Sequence, residues 1–262
     1  MPRLPRLPDL LTTANLCCGV GSILLASQGQ LTVACWLVFA AALFDVFDGL
    51  AARAMGGGSP LGAQLDSLAD LVSFGVAPAF LIFEQGTLLA VNMLIPEAVQ
   101  HLPYPSNRNP FWPTMATSLL LVIASCWRLA KFNLDTRQSS GFLGLPTPAN
   151  GLFWVSLTLG STGVAVHPGP GHDALIGGAV ALLSTPFAVL ALALVLSTLM
   201  LSELPLPSLK FKHFRWPGNQ VIYLLGGIGA VLVVLYGILA VPLIMGLYIL
   251  SPVWGRVFPK AA

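Results

Sequence analysis

Runs of about 20 apolar residues, set between short polar breaks, constrain this chain more than any other feature, because a helix of that length crosses the hydrocarbon of a bilayer. The first runs from about Leu10 to Ser27, entered through Pro8 and Asp9, and the second from Leu31 to about Ala52. Arg53 and the breaker Gly56–Pro60 close the second. A third is expected from Gly62 to about Phe83, with a kink at Gly75 and Pro78. Residues 85–110 read as an outer-side excursion rather than a span. Further helices are expected over Pro113–Phe132, Leu145–Val166 and Ala174–Ser202, the last bent near Pro186. After a linker holding Lys210, Lys212 and Arg215, two more cover about Asn219–Leu239 and Val241–Val257. Only 8% of the residues are charged and the mean hydropathy is +0.83, against about 25% charged in soluble domains. The expectation is an all-α polytopic membrane protein of about eight transmembrane helices.

A net charge of +2 without an arginine-rich or aromatic-interleaved patch excludes nucleic acid as a partner. Cys17, Cys18, Cys35 and Cys126 lie in apolar runs without metal-ligand spacing and read as small buried hydrophobes. His101, His167, His172 and His213 fall in predicted loops. Cytoplasmic loops are enriched in Lys and Arg. With eight spans and both termini inside, the inner segments carry Arg3, Arg6, Arg53, Arg128, Lys131, Arg137, Lys210, Lys212, Arg215, Arg256 and Lys260, leaving only Arg108 outside. A shift by one span would invert that distribution.

Against this background, four of the ten acidic residues fall between Asp45 and Asp70. Carboxylates beside hydrocarbon are costly, and such residues mark functional sites. Asp45 and Asp48 are three apart and Asp66 and Asp70 four apart, so each pair shares a helix face. A short Gly-rich connection makes helices two and three antiparallel neighbours, which brings the two pairs to one depth at the cytoplasmic side. Divalent cations would cancel their repulsion, and carboxylate oxygens suit Mg²⁺ or Mn²⁺. Two such ions favour phosphoryl transfer, with one carboxylate taking the proton of an attacking hydroxyl. A divalent-cation transporter is the competing class. It fits less well, because acids at a single depth do not line a pathway through the midplane and no inverted repeat is evident.

Asp45, Asp48, Gly49, Ala52, Arg53, Gly62, Asp66 and Asp70 meet the pattern D-x2-D-G-x2-A-R-x8-G-x3-D-x3-D without a mismatch. This resembles the signature of the CDP-alcohol phosphotransferase family. The resemblance implies a six-helix catalytic core over residues 1–204, with the basic linker and two C-terminal helices of 205–262 added to it. It implies a dinuclear metal site on Asp45, Asp48 and Asp66, with Asp70 as general base and further metal contact. Gly49, Ala52, Arg53 and Gly62, with Asn15 from the first span, are the expected CDP-lipid contacts. Asn15 also has a neighbouring helix as a candidate partner. A homodimer in a bacterial inner membrane is likewise expected from the resemblance, and the distribution of Lys and Arg turns its active site toward the cytoplasm.

Four more stretches, Leu7–Gly19, Asp66–Pro78, Arg128–Asn133 and Gly144–Ala149, together with Leu201–Lys210, are similar to the serine-using bacterial branch, the CDP-diacylglycerol–serine O-phosphatidyltransferases. Asp9, Lys131 and Asn150 depart from that branch's usual Asn, Arg and Ala. CDP-diacylglycerol and L-serine are then the expected substrates. Glycerol 3-phosphate and inositol phosphate are the alternative acceptors. A serine site must neutralise a carboxylate, and the fork of Arg128 suits that or a phosphate. Thr147 and Asn150 are candidates to face the same site.

Overall fold

The computed structural model describes residues 6–94, 111–135, 142–163, 170–206 and 220–254. Helices α1 (Leu7–Ser27) and α2 (Leu31–Ala54) form an antiparallel hairpin through Gly29, whose φ of +77° makes the turn. The buried face of α1 is Thr12, Asn15, Gly19, Ser22 and Ala26, a stripe of small and polar residues. Small side chains let membrane helices approach closely. Here the Ser22 hydroxyl reaches across to donate to the Ala34 carbonyl at 2.8 Å.

Ser59 caps α3 (Pro60–Asp70) by accepting from the Gly62 N–H at 2.9 Å, with Pro60 in the first turn. The helix then passes through one wide π turn, Leu71–Val76, into α4 (Ala77–Leu94), and Ala77 N–H donates five residues back to Val72. Pro78 has no N–H to offer the Phe74 carbonyl, so the wide turn replaces the expected kink by a change of register. That carbonyl faces Gly151 so closely that a Cβ there would lie 2.7 Å from it. The third helix therefore does not stop near Phe83. It runs on to Leu94, which corrects the expected excursion from residue 85; residues 95–110 lie outside the described ones. Gly86 breaks nothing because it serves packing: a Cβ there would sit 3.0 Å from Thr114 Cγ2.

The chain continues with α5 (Phe111–Leu134), strand β1 (Phe142–Leu143), α6 (Thr147–Ser161), α7 (Pro170–Leu183), α8 (Pro186–Leu201), strand β2 (Pro205–Leu206), α9 (Gln220–Tyr236) and α10 (Ala240–Trp254). The α6 helix ends earlier than expected, and Pro186 sets a 94° bend between α7 and α8. Strands β1 and β2 pair antiparallel, Phe142 with Leu206 and Leu143 with Pro205. A buried cluster from α4, α5, α6 and α8 centres on Ile82, Leu121, Trp154 and Leu196. His172 lies buried in α7 rather than in a loop. Of the four free cysteines only Cys35 is buried; Cys17 and Cys126 are exposed, so the expectation of four buried thiols holds for one.

Among the described residues, α1, α2, the continuous Pro60–Leu89, α5 and the stretch Ile222–Ser251 are long and apolar enough to cross a membrane. The bent α7–α8 pair makes a sixth. Ile222–Ser251 is not a rod. A Cβ at Gly229 would lie 3.4 Å from Ile244 Cδ1, whereas a straight helix over that interval would separate them by about 22 Å. Leu225 and Tyr248 likewise share one buried cluster. The chain folds back at Gly237, with φ of +53°. Leu24, Leu43, Trp127, Leu194, Val234 and many similar side chains point outward. The polar residues Asn15, Thr147, Asn150 and Ser156 are inside. A water-soluble protein shows the reverse; this is an integral membrane protein.

Candidate active site

The α1–α2 hairpin and the start of α3 converge where the two halves of the acidic stretch meet. One carboxylate oxygen from each of Asp45, Asp48 and Asp66 lies within 4.8 Å of the others. Unit charges at that distance repel by roughly 3–4 kcal/mol per pair at an effective dielectric near 20. The arrangement therefore calls for a counter-charge. Opposite ligands of an octahedral Mg²⁺ stand about 4.2 Å apart, so small side-chain rotations would close the three oxygens on one ion. Asp66 Oδ1 is buried without a hydrogen-bond partner, as an unused ligand atom would be. The donor set is all-oxygen and fits a hard divalent cation.

Asp70 is placed differently. It is buried and stands outside the group of three. Its Oδ1 accepts from Asn15 Nδ2 at 3.2 Å, and the Asn15 carbonyl in turn accepts from Ser73 Oγ at 3.0 Å. Gly19 allows this approach, since a Cβ there would collide with Ser73. The Thr12 hydroxyl donates to Asp48 Oδ2 at 2.8 Å. Two residues of one α1 face thus orient one acid from α2 and one from α3. Thr12 was not singled out from the sequence. Its signal is the spacing of three to Asn15 on the small-residue stripe.

A cavity of about 210 Å³ opens beside the triad. Asp48, Gly49, Ala52, Gly62 and Asp66 line it, with Asp9 and the Gly57–Ser59 loop. A Cβ at Gly62 would be 3.0 Å from Asp9 Oδ1, so glycine keeps this wall open. Asn15 does not line it. Arg53 does not either; its exposed guanidinium lies along α2 over Gly49, Nη1 3.6 Å from where a Cβ would be.

A second cavity, about 390 Å³, lies between the ends of α5 and α8. Arg128 is buried at its edge, donates Nε–H to the Leu145 carbonyl at 3.0 Å, and stacks over Phe132 with Cζ 5.2 Å from the ring centre. Asn133 Nδ2 donates to Ser67 Oγ at 2.9 Å. This pins α5 to α3 about one turn from Asp70, whose carboxyl acts electrostatically on the guanidinium. Thr147 and Asn150 line neither cavity. They are fully buried, and Thr147 Oγ1 and Asn150 Oδ1 have no partner among the described residues.

A family model described as CDP-alcohol phosphatidyltransferase matches residues 6–204. The chain belongs to that family. A CDP-diacylglycerol–serine O-phosphatidyltransferase of Helicobacter pylori (strain ATCC 700392 / 26695) is 31% identical over 245 residues, which is 93% of this chain and 87% of the relative. One of the same name from Bacillus subtilis (strain 168) is 31% identical over 152 residues, 58% of this chain and 75% of the relative. An archaetidylserine synthase of Methanothermobacter thermautotrophicus is 37% identical over 145 residues, 54% of this chain and 53% of the relative. In this family member three of the four signature acids form the triad, and the signature glycines Gly49 and Gly62 line the adjoining cavity.

Proposed function

We propose that this chain transfers the phosphatidyl group of CDP-diacylglycerol to the hydroxyl of L-serine, giving phosphatidylserine and CMP. The observation that carries the reading is the Asp45–Asp48–Asp66 triad, of which Asp48 and Asp66 line the glycine-walled cavity, where a diphosphate can reach both oxygens and backbone. The serine-using names of the relatives supply the acceptor.

In this reading Asp45, Asp48 and Asp66 hold Mg²⁺ or Mn²⁺, two ions in all, with Asp70 adding a contact. Bound there, the ions would neutralise the diphosphate and stabilise the departing phosphate. Gly49, Ala52 and Gly62 let the nucleotide lie against bare helix, and Arg53 closes over its outer edge. Asn15 fixes the Asp70 carboxylate so that its other oxygen faces the acceptor. Asp70 takes the serine hydroxyl proton. The oxygen then bonds to the phosphorus carrying the diacylglycerol, the bond to the CMP oxygen breaks, and CMP leaves. Arg128 holds the serine carboxylate. Thr147 and Asn150 stand back from both cavities, at the buried start of α6.

The reading places residues 1–204 as the catalytic core and 205–262 as an added helical hairpin. It takes eight crossings, counting α9 and α10 separately and α7–α8 as one. It sets the protein in a bacterial inner membrane with both termini and the active site facing the cytoplasm, an orientation that the distribution of Lys and Arg supports. The test is a panel of labelled acceptors with CDP-diacylglycerol and the purified protein in mixed micelles. Serine-dependent CMP release is expected; CMP release with glycerol 3-phosphate or inositol phosphate alone would replace serine as the acceptor.

A further inference from the structure

The cavity between α5 and α8 has a composition that the catalytic triad does not explain. Arg128, Lys131 and Asp135 follow one another at helical spacing on one side of α5, and Glu203 faces them from just beyond the end of α8. Phe132, Leu143, Met200 and Leu201 supply apolar wall, and Ser202 completes the rim. Among the described lining residues two cations stand against two carboxylates, a formal sum of zero. At about 390 Å³ the space is within the range of small-molecule sites.

A wall that carries both signs discriminates among acceptors. A phosphomonoester carries about −1.5 to −2 charges at neutral pH, and two carboxylates in its pocket would oppose it. An amino acid brings one carboxylate and one ammonium and is matched by a wall of both signs. The order of charges along the cavity also matters. Arg128 is buried at the inner end, on the helix whose Asn133 bonds to Ser67 about one turn before Asp70 on α3. Asp135 comes about two helical turns later, near the outer mouth.

We infer that this cavity is the acceptor site and that it reads a zwitterion, with Arg128 and Lys131 on the carboxylate and Asp135 and Glu203 on the ammonium. The inference rests on the serine reading above and adds two acids to it. An amino acid held this way points its short hydroxymethyl arm inward, past Arg128 toward Asp70. The β1–β2 pair holds the mouth in shape, because it ties the segment after α5 to the segment after α8. Gly144 makes that closure possible: its φ is +72°, and a Cβ would lie 2.6 Å from the carbonyl oxygens of Met200 and Ser202.

The test measures steady-state CMP release by the full-length protein in CDP-diacylglycerol mixed micelles, for wild type, Glu203→Gln and Asp135→Asn. Loss of a charge-assisted contact should raise the KM for serine about tenfold or more in at least one variant, with the KM for CDP-diacylglycerol unchanged. 3-Hydroxypropanoate, which lacks the ammonium, should compete poorly with serine in wild type and gain relative to serine in the same variant. Glu203→Asp should restore part of the serine affinity if Glu203 is the responsive position. An unchanged serine KM in both variants, or a parallel rise in both substrates' KM, overturns the inference while leaving serine transfer standing. Wild type that uses glycerol 3-phosphate and not serine removes the function reading, and this inference with it.

Discussion

The two cavities are built in opposite ways. The glycine-lined one draws its walls from residues 6–66, three helices that are consecutive in the chain, and their connections. The one between α5 and α8 is assembled from residues 128–135, 143 and 200–203, brought together by a two-residue strand pair. The first can be written as one continuous pattern with fixed gaps. The second exists only after the chain has folded, and its walls are separated by long intervals in which residues can change independently. A diphosphate needs the same oxygen ligands and bare backbone whichever alcohol attacks it. An acceptor needs walls that differ from one enzyme to the next.

The comparison can be broken first at the triad. Asp66→Asn removes a ligand atom that has no other partner, and chelation removes whatever the three oxygens hold. Both should abolish CMP release to background, and excess Mg²⁺ or Mn²⁺ should restore the chelated wild type only. Activity surviving chelation would show that the acids serve some purpose other than metal binding. Next comes Asp70→Asn, expected to cost about 10²–10⁴ in kcat, the range for a general base, with CDP-diacylglycerol binding retained. Substantial turnover there would take the base role from Asp70.

A smaller effect is expected at Thr12, the residue that links α1 to the triad. Thr12→Val keeps the shape and loses a hydrogen bond to a carboxylate, a contact of about 1.5–3 kcal/mol. The apparent affinity for Mg²⁺ should fall by roughly tenfold or more, while the serine KM stays unchanged. A change in the serine KM instead would mean that the two cavities are coupled through α1. The smallest effect belongs to the framework. Gly151→Ala forces a methyl against the Phe74 carbonyl and should destabilise by about 1–3 kcal/mol. Thermal unfolding in detergent reads that as a Tm lower by a few degrees, with both KM values near wild type in the folded fraction.

These outcomes bear on what could be read before folding. Helical phase and charge placed Asp45, Asp48 and Asp66 together, because i, i+3 and i, i+4 spacing and a short connection leave few other arrangements. It could not separate Asp70 from them, since that depends on Asn15 and Ser73 meeting across α1. The third helix outruns its expected end near Phe83 and continues through Gly86 to Leu94. Packing against Thr114 turns the glycine into an interface residue. His172 was read as a loop residue because its Gly- and Pro-rich surroundings mask the start of α7. The second cavity was invisible, as Asp135 and Glu203 are unremarkable helix-end acids until α5 and α8 stand side by side.

The wide turn at Leu71–Val76 has a consequence for the helix that contains it. Its five-residue step delays the rotation by about 100°, one residue's worth of α-helical advance. A single uninterrupted helix therefore presents two inward stripes rather than one, Asp66 and Asp70 toward the acids of α2 and the polar face of α1 below and Phe74, Ala77 and Leu81 toward the apolar interior above. Removing one residue from that turn would leave composition and span length almost untouched. It would also swing the acids out of phase with the rest of the bundle, so the chain would keep its membrane fold and lose the alignment of its carboxylates.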